Sequence, residues 1–415
     1  MRSTEDAWTS RSRLGRFLTR SALGFAAFAL ASSVAATPGP GRPLAATRLP
    51  EAWDEPTEVV LVTLDGSRFR EIFEGVDPDL ARRQHLPSER IVPAQQLMPR
   101  LQRLIAAGVA LGAPGHGAAI RASGPEFVSL PGYSEIFSGR RVTGCRDNAC
   151  AGSNVPSMVD QLVEQTHGLH SAAVVTSWPD IARVAATNPA VAVSAGRHAG
   201  ATRARFASLA SVKGALERAA PTAPWPGNGD FRRDRFTAEV ALSYLESEHP
   251  SFLFVGLGET DEFGHQDNYA GYLDALVEAD RYIGQLADVL AEHSRHGVRT
   301  ALFVTADHGR SHDFRDHGAA HPESSRVWLV AAGSAIAARG LVAAGREHHL
   351  ADIAPTVREL FGLRADHHEN AGVSLLGSIG AGASGVGVPR AQGEHRGEHR
   401  GQRPRPSAER ELAHK

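Results

Sequence analysis

The chain has 415 residues and a mass of 44.1 kDa, and its 42% apolar residues suffice for the core of one large α/β domain or two smaller ones. Its 44 basic and 46 acidic side chains nearly cancel, for a net charge of −2 and a pI near 6.9, which argues against a nucleic-acid partner held by electrostatics. Only Lys213 and Lys415 are lysines, a compositional bias with no functional reading.

Arg11, Arg13, Arg16 and Arg20 precede an apolar run from Ala22 to Ala31, and Ser-Ser-Val-Ala-Ala-Thr-Pro follows, ending at Pro38. This is the pattern of a secretory signal peptide over residues 1–36, cleaved near Ala36, with an uncleaved anchor as the alternative. Nothing later reaches the roughly 18 apolar residues of a membrane span. The expected location is therefore periplasmic or extracellular. Residues 37–57 read as a Pro- and Ala-rich linker. Export makes the two cysteines, Cys145 and Cys150, candidate disulfide partners.

The folded part, residues 58–377, opens with the β-branched run Glu58 to Gly66, a buried parallel strand that presents Asp65 at its carboxyl end. Helical periodicity follows at about 94–110. Ser129, ahead of Pro131-Gly132, suits a helix start and so a cap, in a helix that runs to Gly139. Further strands are predicted at Ala172 to Ser177, Phe252 to Leu257, Ala301 to Ala306 and Val327 to Ala332, and helices near 157–165, 235–247, 268–293 and 350–362. This alternation predicts an α/β fold, a three-layer sandwich whose central, mostly parallel sheet is flanked by helices. Residues 378–415, rich in Gly, Arg and His, read as a disordered tail.

Two strands end in chemistry. Phe252 to Leu257 runs into Gly-Glu-Thr-Asp261-Glu-Phe-Gly-His265, and the strand to Ala306 runs into Asp307-His308-Gly309, then Asp316-His317-Gly318. One Asp–His pair is ordinary loop composition; two pairs plus Asp65, each directly after a buried strand, are not, because ligands of open α/β sheets gather at carboxyl strand ends. Imidazole and carboxylate together suit Zn²⁺ better than Mg²⁺ or Ca²⁺. Two such ions clamp the oxygens of an in-line displacement at phosphorus and activate a serine hydroxyl, which Ser129 supplies without a Gly-x-Ser-x-Gly elbow.

On these residues the sequence resembles the alkaline phosphatase superfamily over roughly Val59 to Leu376, and is most similar to its nucleotide pyrophosphatase/phosphodiesterase branch. Leu64-Asp65-Gly66, Ser129 with Pro131, Asp261-x-x-Gly264-His265, Asp307-His308-Gly309 and His317-Gly318 match the family's motifs in order. The resemblance implies that Asp261, His265 and His317 hold one zinc, that Asp65, Ser129, Asp307 and His308 hold the other, and that Ser129 is the nucleophile. Asn148 resembles the substrate asparagine of the branch, and Arg140 is a candidate for the charge of a phosphomonoester dianion.

The segment departs from the family's Thr-x-Pro-Asn-His in having Ser129 and Gly132-Tyr133, changes that fall on the expected pocket lining. Sulfatases carry Arg four residues after the modified residue; Tyr133 stands there. The expectation is an exported two-zinc hydrolase of small phosphate esters acting through a phosphoseryl intermediate, with phosphomonoesterase and phosphodiesterase both open. The alternatives are an inactive or binding-only relative, a phospho-group transferase, or a sulfatase-like hydrolase.

Overall fold

A computed structural model describes residues 56–380 apart from 118, 199–208, 344, 365–367 and 369. The signal peptide, the linker up to residue 55 and the tail from 381 lie outside the described residues. Among the described residues eleven strands occur in chain order: β1 Thr57–Leu64, β2 Val109–Leu111, β3 Ile120–Arg121, β4 Ala172–Thr176, β5 Ala192–Ala195, β6 Phe252–Leu257, β7 Arg299–Thr305, β8 Arg326–Val327, β9 Leu329–Ala332, β10 Gly340–Leu341 and β11 His348–His349. Eight of them form one sheet, ordered β10-β2-β9-β7-β1-β6-β4-β5, and β11-β3-β8 form a small second sheet.

In the large sheet β9 alone runs against its neighbours, pairing antiparallel with β7 and β2. The predicted strand Val327 to Ala332 is thus two strands in two sheets, divided at the fully buried Trp328, whose indole N–H donates to Ser67 Oγ at 3.2 Å. The predicted helix at 94–110 is likewise divided, into Ala94–Leu97 and Pro99–Ala107, before the chain enters β2. Proline starts a helix more readily than it continues one.

The central strands are apolar because helices flank the sheet, and every residue of β1 and β6 is buried. The helix Tyr269–Arg295, between β6 and β7, buries Tyr272, Leu276, Ile283, Leu286 and Leu290 on one stripe. Each such side chain contributes about 1.5–3 kcal/mol of transfer free energy. Register then decides where the chemistry goes. Leu64 of β1 pairs with Leu257 of β6, and Thr63 with Thr305 of β7. The residues that follow these three adjacent strands emerge side by side at one edge.

Candidate active site

Asp65 and the Asp307–His308 pair follow the ends of β1 and β7, Asp261 and His265 lie four residues apart on the short helix Glu259–His265 that follows β6, and His317 comes from the loop beyond β7. Ser129 enters from the side as the first residue of the helix Ser129–Ser138. The N-cap is Val128, and its side chain makes no capping bond. Ser129 therefore does not cap the helix. Its Oγ instead lies 3.3 Å from both Asp65 Oδ1 and His308 Nε2, while Asn148 Oδ1 accepts the Leu130 N–H at 3.0 Å.

Two glycines allow this approach. A Cβ on Gly132 would sit 2.4 Å from the Asp307 carbonyl oxygen, so the helix touches the end of β7 only without a side chain there. Gly66, at φ 59°, takes a conformation that suits glycine, and its N–H donates to Asp307 Oδ1 at 3.1 Å.

The histidines are oriented as ligands are. His308 Nδ1 faces the Gly309 carbonyl at 2.8 Å and His317 Nδ1 faces the Phe127 carbonyl at 2.9 Å. A carbonyl only accepts, so each Nδ1 carries its proton and each Nε2 presents a lone pair. Phe127, at φ 40°, holds its carbonyl there from a left-handed backbone rarely taken by a bulky residue. His317 Nε2 lies 3.1 Å from His265 Nε2, and His265 Nε2 3.0 Å from Asp261 Oδ2.

Electrostatics follows from burial. Desolvation, with Asp261 nearby, pushes Asp307 up to about 7, and desolvation with Asp307 and Asp261 raises Asp65 well above the carboxylate range. Burial lowers His308 to about 4, and burial with His308 lowers His317 to about 3, so both are neutral at physiological pH. Asp261 goes the other way. Burial raises it, but Arg310 and the bonded His265 prevail and hold it well below the usual range. Arg310 is buried, donating to Asp261 Oδ1 and to the carbonyls of Phe314 (2.6 Å) and Arg315 (2.7 Å).

This donor set fits a divalent metal. Asp307 Oδ2 is buried without a hydrogen-bond partner, and two imidazole nitrogens face each other across 3.1 Å. Donor atoms of Asp261, His265 and His317 lie within 4.8 Å of one another, as do those of Asp65, Asp261 and His308. The first group is the one expected; in the second, Asp261 stands where Asp307 was expected, and Asp307 Oδ2 lies 3.5 Å from His308 Nε2.

A cleft of about 490 Å³ opens over these groups, its walls including Asn148, Trp178, Pro179, Asn228 and Phe231. Arg140 is not in it. The ten-residue helix Ser129–Ser138, roughly 15 Å long, carries the chain away from Ser129, and Arg140 lines a different cavity with Arg141 and Asn370. Tyr133 is not in the cleft either. It is fully buried beneath the site, donating to Asp65 Oδ2 at 3.0 Å.

Residues 232–365 match the Metalloenzyme superfamily model, a stretch that holds Asp261, His265, Asp307, His308 and His317. Phosphopentomutase of Deinococcus radiodurans is 35% identical over 126 residues, 30% of this chain and 29% of that protein. The chain spans about a third or less of the curated relatives it matches first. Among solved structures, the alkaline phosphatase PafA superposes with a TM-score of 0.52 at 13% identity, covering 79% of this chain and 99% of PafA. The 2-O GAG sulfatase BT1596 superposes with a TM-score of 0.50 at 16% identity, covering 78% and 74%. Residues 232–365 thus carry the features of the Metalloenzyme superfamily, and the fold is that of alkaline phosphatase-like proteins.

Proposed function

We propose that the chain is an exported two-zinc phosphoric ester hydrolase that acts through a phosphoseryl intermediate at Ser129 and prefers diesters. The carrying observation is the placement of Ser129 Oγ 3.3 Å from both Asp65 Oδ1 and His308 Nε2, with Asp307 and Asp261 just past the adjoining strands. Two zinc ions, when bound, supply Lewis acidity that lowers the serine pKa and offsets charge on the leaving oxygen. Asp261, His265 and His317 would hold one; Asp65, Asp307, His308 and Ser129 the other.

The protein's own residues position the rest. Tyr133 and Thr260 fix Asp65 at its carboxylate and at its carbonyl. Asn148 gives its carbonyl to Leu130, which leaves its NH₂ as the donor for a non-bridging phosphoryl oxygen. Ser129 opens a ten-residue helix, whose amino end favours an anion. Water attacks the phosphoserine in the second step.

The diester preference rests on charge. Among the described residues the cleft wall carries no lysine or arginine, while Asp180, Asp230 and Glu262 line it. Such a wall suits a monoanionic diester better than a dianionic monoester, and Trp178, Pro179 and Phe231 offer an apolar face to a second ester group. Cys145 and Cys150, with Cα atoms 5.2 Å apart, form a disulfide that braces the Asn148 loop and accords with export.

The test is zinc content and turnover of aryl phosphate mono- and diesters by wild type and Ser129→Ala. Two zincs per chain, diesterase above monoesterase, and loss of both in the variant are expected. Undiminished turnover in Ser129→Ala overturns the nucleophile, and monoesterase above diesterase overturns the substrate class.

A further inference from the structure

The three adjacent strands that carry the active site at their carboxyl ends carry a second cluster at their amino ends. Glu58 is the second residue of β1, His249 closes the helix Asp234–Glu248 just ahead of β6, and His293 lies in the last turn of the helix that leads to β7. Because β1 lies between β6 and β7, chain order brings the three together. Each oxygen of the buried Glu58 carboxylate meets an imidazole: His293 Nδ1 at 2.6 Å from Oε2, and His249 Nδ1 at 3.8 Å from Oε1. The two rings stand 4.6 Å apart, and one donor atom from each residue lies within 4.8 Å of the other two.

A protonated His293 would by itself neutralise Glu58, but it leaves His249 unexplained, since 3.8 Å is too long for a hydrogen bond. A metal ion uses all three. Two imidazoles and one carboxylate form a set for zinc rather than for magnesium or calcium. Tetrahedral zinc with bonds of 2.0–2.2 Å separates its ligands by roughly 3.4 Å, so the cluster closes onto an ion with shifts of about 1 Å or less. A cavity of about 530 Å³ opens beside it, leaving room for water as fourth ligand, and its wall includes His170, whose Nε2 is buried without a hydrogen-bond partner. With β1 eight residues long, roughly 20 Å separate Glu58 from Asp65, so the cluster stands apart from the catalytic groups.

We propose that Glu58, His249 and His293 form an additional zinc site, which ties the chain segments entering β6 and β7 to the start of β1. His249 sits at φ 46°, ψ 54°, the left-handed position that glycine takes without strain, so His249→Gly removes a ligand while suiting the fold. Wild type, His249→Gly and His293→Gln are dialysed against the same zinc buffer and their zinc is counted by elemental analysis. The expected result is one zinc fewer per chain in each variant, and a smaller rise in melting temperature on adding zinc than wild type shows. Equal zinc content in wild type and variants overturns the proposal and leaves an ordinary Glu58–His293 ion pair. Should His293→Gln fail to fold, His249→Gly decides by itself. The readout is a difference of one ion, so it holds whatever the active site binds and whether or not Ser129 is a nucleophile.

Discussion

The Tyr133 hydroxyl donates to Asp65 Oδ2 across 3.0 Å and contacts Thr63 Oγ1 at 3.2 Å, at the floor of the active site. Burial, together with Asp65, raises the phenol well above its usual 10, so it stays neutral and donates. Tyr133→Phe keeps the ring and its edge contact with Phe254 but deprives Asp65 of its orienting bond. Removing such a support typically costs 10–100-fold in metal affinity or activity. The expected outcome is faster zinc loss to a chelator and turnover lowered by about that factor, with a melting temperature close to wild type. Unchanged zinc retention and turnover would remove Tyr133 from the machinery.

The departures from the family pattern at Gly132-Tyr133 read in sequence as pocket lining, and in the fold they are neither lining nor lid. A residue four places along a helix from Ser129 lies on the same face, so Tyr133 follows Ser129 inward to Asp65. The convergence of the acidic candidates was legible for a simpler reason: Asp65 and Asp307 stand just past strands apolar enough to be recognised by themselves, and Asp261 lies on the short helix that follows a third. Arg310 was not legible. A single arginine after Asp-His-Gly carries no periodicity, and its partner Asp261 lies 49 residues away in the chain. β5 and β9 were missed or misassigned because four-residue strands of Ala, Val, Ser and Leu carry little signal, and direction is a property of pairing rather than of sequence.

Gly132→Ala tests the contact between the helix Ser129–Ser138 and the chain just past β7. The added Cβ meets a backbone carbonyl at 2.4 Å, and backbone cannot rotate away as a side chain would. Overpacking of this kind costs about 1–3 kcal/mol. Thermal melting should fall by several degrees, and turnover should drop because Ser129 moves with its helix. A variant as stable and active as wild type would show that the helix packs more loosely than this.

Glu135 gives a pH signature away from the candidate metal ligands. It is buried and accepts from Ser123 N, Ser123 Oγ and Ala351 N, yet burial still prevails and raises it from 4.5 to about 7. A carboxyl with a raised folded-state pKa binds its proton more tightly in the native state, so its contribution is full below about 4.5 and is lost as pH rises towards 7. The span corresponds to about 3 kcal/mol. Glu135→Gln should remove that part of the slope in denaturant melts between pH 4.5 and 7, at a cost of about 1 kcal/mol for the N–H acceptor it gives up. Parallel pH profiles for wild type and variant would contradict the assignment.

Asn148 and Arg140 separate cleft from surroundings. Asn148 stands in the wall beside Ser129 with its NH₂ available to substrate, whereas Arg140 lies beyond the far end of the helix in another cavity. Removing one hydrogen bond to a charged phosphoryl oxygen costs about 1.5–3 kcal/mol, a loss of roughly 10–100-fold. Asn148→Ala should therefore lower kcat/KM for an aryl phosphate diester by that factor. Arg140→Ala should leave both kcat and KM near wild type, for monoesters as well as diesters. A monoesterase activity that collapses in Arg140→Ala would mean that the arginine reaches the phosphate after all, and the negatively charged wall would no longer argue for a diester.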